Sequence, residues 1–156
     1  MNDSIQTRWM SCDDICTYQG QLIELEMTLI KKYHYPELVI PIEYCARSVE
    51  NLKEYIKEGN TFFWGATENG ELIAYYWAYI TSFISRRRWV LRSLMVIDDY
   101  QRSGLGTIAM HEGLIKAQEQ KCDEMATEYV PWNTAAADFY RKNGFEIRRI
   151  EVVKRL

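Results

Sequence analysis

A glycine-containing turn between an apolar segment and a helical pattern constrains this chain more than any other feature. The apolar segment is residues 90–96, and the turn is residues 101–107, with glycine at positions 104 and 106. Glycine lacks a Cβ, so the turn can take positive φ and an anion can approach its backbone closely. The free N–H groups and partial positive charge of the following helix favour a pyrophosphate there. The sequence therefore indicates an α/β fold with an anion site, although such glycines also occur in tight turns that bind nothing.

A second pattern follows about thirty residues further along the chain. Asn133, Ala136 and Tyr140 are followed by Gly144 and Phe145 in a segment with helical spacing. Asn133 and Tyr140 are seven residues apart, so a helix places them on nearly the same face, about 10 Å apart along its axis. Both side chains could therefore contact one extended ligand that lies along that helix.

The two patterns together resemble the GCN5-related N-acetyltransferases, the GNAT superfamily. Residues 101–107 are similar to that family's Q/R-x-x-G-x-G/A loop, and residues 133–145 to its Asn-x-x-Ala-x-x-x-Tyr-x-x-x-Gly-Phe signature. The resemblance is most specific over residues 92–145, and the order of elements outside that window also suits the family. It implies one acetyltransferase domain over residues 1–156.

The fold that the resemblance implies is α/β (α+β), with helices on both faces of a central sheet. The sheet is expected to be mixed, mostly antiparallel and built from six or seven strands. A splayed parallel pair is expected at about residues 90–96 and 125–130, with a last strand from 145 to about 154. Asn69-Gly70 predicts a hairpin turn between two aromatic strands, 61–67 and 72–80. Helices are expected from about 11 to 32 and from about 48 to 57.

The resemblance also implies acetyl-CoA as the cofactor. Its pyrophosphate would bind the glycine turn, and its pantetheine arm would pair with backbone at the end of the strand 90–96. Tyr140 would protonate the departing thiolate, because a phenol with a pKa near 10 stays protonated at neutral pH. The implied cofactor-binding residues are Leu94, Met95, Val96, Gln101, Arg102, Ser103, Gly104, Leu105, Gly106, Thr107, Asn133 and Tyr140.

Each of these residues also has a purely structural interpretation. Tyr140 could pack between Phe139 and Phe145, and Asn133 is a good helix N-cap whether or not a ligand is present. Glu128 is the best carboxylate to take a proton from the amine, since it lies on the strand that flanks the predicted cleft. A solvated glutamate is the alternative for Glu128, and a water relay could replace a dedicated base. Glu124 lies at the strand start and is less well placed.

These residues predict an acetyl-CoA-dependent N-acetyltransferase that acts on a primary amine of a small molecule or peptide. Direct transfer in a ternary complex is favoured, because the sequence pairs no Cys or Ser with a His. The alternative is a non-catalytic module that binds and senses acyl-CoA. A dinucleotide-binding domain fits less well, because the glycine turn does not follow the first strand.

Composition limits the remaining classes of function. The net charge of −3 argues against nucleic-acid binding, and no apolar run approaches the roughly 20 residues of a membrane span. Cys12 and Cys16 are close enough to share a metal, but the other two cysteines and the two histidines supply no second close pair, so we expect free thiols and no metal site. We therefore expect a cytoplasmic protein.

Two further surfaces keep alternative roles. Residues 86–88, three arginines, could hold the 3′-phosphate of the coenzyme or an acidic substrate. A solvated basic turn at about residues 82–88 is the favoured interpretation. Tyr75, Trp77 and Tyr79 share one strand face. That face suits a core or homodimer contact, or an aromatic box for a cationic amine.

Overall fold

The computed structural model describes residues 4–154. Its strands are β1 (Gln6–Trp9), β2 (Thr61–Glu68), β3 (Glu71–Phe83), β4 (Arg86–Val96) and β5 (Glu124–Ala126). Its helices are α1 (Cys12–Leu29), α2 (Ile42–Lys57), α3 (Leu105–Glu119) and α4 (Thr134–Lys142). A π-helical turn, Ile30–His34, continues α1, and a 3₁₀ turn, Asp98–Tyr100, lies between β4 and α3.

The strands form one mixed sheet in the order β1-β2-β3-β4-β5. Neighbours are antiparallel except for β4 and β5, which are parallel, with Arg88 opposite Glu124 and Val90 opposite Ala126. The α/β class, the mixed sheet and the parallel pair are therefore as the sequence predicted. A right-handed crossover through α3 is the usual way to connect such a pair.

The predicted number of strands was wrong. The described residues contain five strands and not six or seven, because the expected strand 125–130 is only Glu124–Ala126 and residues 145–154 form no strand. Residues 145–154 contain β-branched side chains, but none of them pairs with a strand in the described part of the chain, and Ile147 and Val152 are 71% and 90% exposed. Local preference for β structure is weak without a neighbouring strand.

The predicted basic turn at residues 82–88 was also wrong. β3 continues to Phe83 and β4 starts at Arg86, so the turn is only residues 84 and 85. The three arginines thus belong to a strand, and Arg88 is buried because it pairs with Glu124 across the parallel register.

Aromatic residues of the sheet build a core on each of its faces. Phe63, Tyr75 and Trp77 pack under α1 and α2, and Trp64 and Tyr76 pack under α3. These contacts support the core interpretation of the Tyr75 and Trp77 face. On the other face, α3 lies so close to the sheet that a Cβ at position 113 would come within 2.4 Å of the Tyr76 hydroxyl oxygen, so only glycine fits there.

The local signals that start and end elements mostly have their expected effects. Asn69 and Gly70 both take positive φ, 51° and 81°, in the predicted hairpin turn. Ser11 caps α1 in a reciprocal capping box with Asp14. The second helix begins at Ile42, earlier than the predicted 48, with Pro41 at its N-cap. Within residues 4–154, no helix combines the length and apolarity that crossing a bilayer requires.

Candidate active site

A cleft opens where the two parallel strands separate. β4 and β5 pair only as far as Val90 and Ala126. Beyond that point β4 continues to Val96, while residues 127–130 leave the sheet. One edge of residues 91–96 therefore faces the cleft without a strand partner among the described residues. The cleft is lined by Leu29, His34, Arg92, Ser93, Leu94, Glu128, Tyr129, Val130, Asn133, Ala136 and Tyr140.

The glycine turn lies at the same end of β4 and opens the helix α3. Arg102 and Gly104 both take positive φ, 63° and 92°, and α3 begins at Leu105. No side chain within residues 4–154 caps this helix, so the N–H groups of its first turn remain available. A Cβ built on Gly104 meets nothing within 4 Å, so the turn is open on that side. The backbone thus has the geometry of an anion site.

The side chains of the turn divide into those that face the protein and those that face solvent. The Leu105 side chain is buried in the core, so only its N–H is available for a ligand. Arg102, Ser103 and Thr107 are exposed, and Gly106 lies next to Phe139 of α4. The predicted contacts of this segment with a pyrophosphate are therefore mainly contacts of its backbone and of these exposed groups.

Gln101 anchors the start of the turn. Its Nε2 donates to Asp98 Oδ1 at 2.8 Å, to the Tyr33 hydroxyl at 3.1 Å and to the Val96 carbonyl at 3.4 Å. Lys32 Nζ also binds the Asp98 carboxylate at 2.8 Å. The π-helical turn after α1 is thereby attached to the loop that carries the glycines. Gln101 in this conformation positions the loop.

Residues 94–96 form the unpaired edge of β4. Leu94 lines the cleft, Met95 is buried under α1 and α2, and Val96 is partly buried on the α3 face. Their other backbone edge is held by β3, where Leu94 is opposite Tyr76 and Met95 is opposite Tyr75. An extended ligand in the cleft could add to the sheet as one more strand.

Tyr140 lies at the wall of the cleft that α4 provides. Its ring contacts Phe139, Phe145 and Tyr129, with the Tyr129 ring centroid 5.9 Å away. Burial raises the pKa of its phenol, and a hydrogen bond with the Thr127 side chain acts in the opposite direction. The packing interpretation is therefore correct, yet the same residue also lines the cleft as a protonated phenol.

Asn133 likewise both caps a helix and lines the cleft. Its Oδ1 accepts a hydrogen bond from the Ala136 N–H at 3.1 Å and so caps α4. It also lines the cleft, three residues after Val130.

The two glutamates of the 124–130 segment have different surroundings. Glu124 Oε2 binds Arg86 and Arg148, each at 3.1 Å, and Oε1 accepts from Arg88 Nε at 2.6 Å. These arginines, Arg88 first, lower the pKa of Glu124 to about 2. Glu128 is exposed at the cleft instead. Glu124 is thus a structural residue outside the cleft. Glu128 lines the cleft as predicted, but it lies in the segment after β5 and not on a strand.

The sequence did not predict a polar cluster under the cleft. The register between β3 and β4 shifts at Arg92, and this bulge turns its guanidinium towards α1. Arg92 Nη1 binds the Glu26 carboxylate at 2.7 Å, and Nη2 donates to Ser48 Oγ at 2.8 Å. Glu26 is 1% exposed and also accepts from the Tyr75 hydroxyl at 2.6 Å. The only signal in the sequence was the pair of polar residues, 92 and 93, inside an apolar strand.

A second cavity, of about 350 Å³, adjoins the cleft at Arg92. Trp77 and Tyr79 of β3 line it, together with Tyr55 of α2 and Glu58, which follows α2. The Arg92 guanidinium carbon lies 3.8 Å from the Trp77 ring centroid. Its size and its aromatic lining are those of a small-molecule pocket.

Comparison with known proteins agrees with this architecture. A family model described as the acetyltransferase (GNAT) family matches residues 28–145. The chain belongs to the GNAT acetyltransferase family. The matched residues include the glycine turn, the cleft, Asn133 and Tyr140. No curated protein matches the sequence.

Solved structures of GNAT acetyltransferases share the fold at low sequence identity. An aminoglycoside acetyltransferase from an uncultured soil metagenomic sample, in complex with trehalose, has 17% identity and a TM-score of 0.75, covering 99% of this chain and 98% of its own. The aminoglycoside N-acetyltransferase AAC(6')-Iy, in complex with CoA, has 17% identity and a TM-score of 0.73, covering 97% and 94%.

A protein described as a transcriptional regulator from Bacillus halodurans C-125 is about as similar. It has 16% identity and a TM-score of 0.73, covering 97% of this chain and 99% of its own. At these identities the likeness concerns the GNAT fold, and the site residues must carry any argument about substrates.

Proposed function

We propose that this GNAT family member is an acetyl-CoA-dependent N-acetyltransferase that acts on a primary amine of a small molecule or peptide. One observation carries the proposal: the unpaired edge of β4 and Tyr140 line a single cleft, and the uncapped start of α3 follows the same end of β4. An acyl carrier with a phosphate at one end and a thioester at the other needs these three features in this order.

The pyrophosphate of acetyl-CoA would bind the N–H groups of residues 104–107 and the exposed Thr107 hydroxyl. Two positive-φ residues, Arg102 and Gly104, direct the backbone of this turn outward, and the dipole of α3 favours the negative charge. The pantetheine arm would then continue the sheet along residues 94–96. This geometry brings the thioester to the cleft, where α4 carries Tyr140.

Direct transfer to the amine requires a proton donor for the leaving thiolate. Tyr140 suits this role, because burial keeps its phenol protonated at neutral pH and the hydroxyl can still donate. A backbone N–H of residues 94–96 could stabilise the negative charge that develops on the carbonyl oxygen. Glu128 would attract the cationic amine to the cleft and is one candidate to take its proton.

The acceptor would lie in the cleft and the adjoining cavity. That cavity carries aromatic rings of Trp77, Tyr55 and Tyr79 together with the Glu58 carboxylate, a set suited to a cationic or ring-containing amine. The aminoglycoside acetyltransferases that share the fold support a small-molecule amine as acceptor.

A coenzyme A release assay tests the proposal. Purified protein with acetyl-CoA should release free thiol when a suitable member of a panel of amines, amino acids, polyamines and peptides is present. Release only with an acceptor, and an acetamide product by mass spectrometry, would support direct transfer. Tight binding of acetyl-CoA without turnover on any acceptor would favour the alternative, a sensor of acyl-CoA.

A further inference from the structure

His34 is a cleft residue that the glycine and tyrosine motifs do not include. It ends the π-helical turn Ile30–His34 and lines the same cleft as Ser93, Glu128 and Tyr140. It thus reaches the cleft from the end of α1, whereas Tyr140 reaches it from α4. Short π-helical turns add a residue to a helix and are frequent at functional sites.

The position of His34 is fixed by its neighbours in the π-helical turn. The Tyr35 N–H donates to the Ile30 carbonyl at 2.8 Å and closes the turn. Tyr33 accepts from Gln101, and Lys32 pairs with Asp98, so the turn is attached to the loop that precedes α3. The segment that presents His34 to the cleft is therefore connected to the proposed coenzyme loop.

The imidazole of His34 is available to a substrate. It is half-buried, and neither nitrogen has a hydrogen-bond partner within residues 4–154. Burial lowers its pKa below the ordinary value of about 6.5, the Glu26 carboxylate raises it, and the Arg92 guanidinium lowers it. A neutral imidazole accepts a proton at pH 7. Titratable or charged groups surround this imidazole on several elements. The helices contribute Glu26 of α1, Cys45 of α2 and Tyr140 of α4. The other groups are Arg92 of β4, Glu128 and Tyr129 of the 127–130 segment and the chain neighbours Tyr33 and Tyr35.

We infer that His34 is the general base of the reaction, which takes the proton of the acceptor amine inside the cleft. This inference rests on the proposed acetyl transfer. The amine nitrogen forms a bond to the carbonyl carbon of the thioester, and the carbon–sulfur bond breaks with its electron pair on sulfur. The nitrogen of the neutral amine loses a proton to an imidazole nitrogen of His34, the Tyr140 hydroxyl protonates the sulfur, and solvent then carries a proton from the imidazolium back to the tyrosinate. The products are an acetamide and the free thiol.

Two observations favour His34 over Glu128 as the base. Glu128 is exposed, so water solvates its carboxylate and competes with the amine for it. The His34 imidazole is partly desolvated, and this burial lowers its pKa, so the ring is neutral and can accept a proton at pH 7. The role of Glu128 is then to attract a cationic amine to the cleft. Its replacement should therefore raise KM more than it lowers kcat.

The experiment compares three Gln variants: His34→Gln, Glu128→Gln and, as the matched control, His111→Gln. His111 is exposed on α3, outside the cleft, and is the other of the chain's two histidines. For each variant, single-turnover rates are measured from pH 5 to 9 with an acceptor that the wild type acetylates, and coenzyme Kd and Tm are measured in parallel.

We expect His34→Gln to lower the rate of the chemical step by about 100-fold at pH 7.5, with coenzyme Kd unchanged. In the wild type, the single-turnover rate should fall as the pH drops below about 6.5, and we call this fall the acidic limb. The acidic limb should be absent in His34→Gln, because no imidazole remains to be protonated. Imidazole added to His34→Ala should restore part of the rate, and it should restore none to Tyr140→Phe. His111→Gln should match the wild type.

A chemical step within twofold of wild type in His34→Gln would overturn the inference, and so would a slower step that keeps the acidic limb. If His34→Gln does not fold, NMR titration of the wild-type His34 ring decides instead. The pKa of the ring measured by NMR must equal the pH at the midpoint of the acidic limb, and a mismatch overturns the inference. Failure of the proposed function is distinguishable, since the wild type would then release no thiol with any amine.

Discussion

The two ends of the β4–β5 pair differ in how their polar groups are satisfied. At the paired end, three arginines surround Glu124, and each residue from Arg88 to Val90 has a strand neighbour on both sides. At the splayed end, one edge of residues 91–96 has no strand neighbour in the described part of the chain, and Glu128, His34 and Tyr140 line a cleft.

The contrast shows which end of the strand pair stabilises the fold and which end has groups free to bind a ligand. Arg88 and Glu124 are both largely buried and paired, so they have little left to offer a substrate, and removing one would leave the other charge unpaired. Backbone and side-chain groups without partners are available for binding and catalysis. The three-residue register that pairs Arg88 with Glu124 ends at Val90 and Ala126, so the cleft begins where the paired end stops.

The largest expected effect comes from Tyr140→Phe at the splayed end. It removes one hydroxyl and keeps the ring packed against Phe139 and Phe145. If proton donation limits the rate, kcat should fall by roughly 10²- to 10⁴-fold with little change in coenzyme Kd. Tyr129→Phe is the matched control on the neighbouring ring. A pre-steady-state rate within about twofold of wild type would return Tyr140 to a packing role.

Gly104→Val should be next in size. Its side chain would occupy the open side of the turn where the pyrophosphate needs to lie, so coenzyme Kd should rise by about 10-fold or more. Gly59→Val is the matched control, because Gly59 also has positive φ (79° against 92°) and open space around its Cβ position, yet lies after α2. Both variants carry backbone strain, and only Gly104→Val should weaken binding by calorimetry. Equal affinities with comparable melting curves would refute the pyrophosphate site.

The paired end and the splayed end should respond differently to the same chemical change. Glu124→Gln should lower Tm because it removes the partner of three arginines, and it should leave kcat nearly unchanged. Glu128→Gln should keep Tm and lower kcat/KM for a cationic amine by roughly 10-fold. Thermal melts and steady-state kinetics on both variants check this. Loss of activity in Glu124→Gln with unchanged Tm would contradict the division between the two ends.

The smallest expected effect is the pH dependence of the stability that the Glu124 ion pairs contribute. The folded pKa of Glu124, about 2, is below the unfolded value of about 4.3. The contribution of Glu124 is therefore present above about pH 4.3 and is lost as the pH falls towards 2. The Tm difference between wild type and Glu124→Gln should be constant above pH 5 and should shrink below pH 4. A difference that persists undiminished near pH 2 would show that the ion pairs are not its source.

The sequence predicted the elements whose signals are local. The Asn69-Gly70 hairpin and the Asn133 cap depend on a few adjacent residues, and both are present. The start of α3 after Gly104 is another such signal.

The predictions that failed depend on pairing with distant residues. Residues 145–154 have β-forming side chains but no strand partner in the described structure, and the arginines at 86–88 became a strand because Glu124 is opposite Arg88. His34 was missed because a lone histidine near a helix end carries no spacing signal. Only the fold brings it to the cleft that also contains Tyr140.

The most direct test of the central claim is a ¹⁵N NMR titration with coenzyme A. Amide shifts should concentrate on the splayed end and the turn, in residues 94–96, 101–107 and 133–140, while residues 86–90 and 124–126 stay nearly unchanged. This result would assign coenzyme binding to the unpaired edge of β4 and the start of α3. Saturable binding that instead shifts the paired end, or no binding at millimolar coenzyme A, would contradict the account.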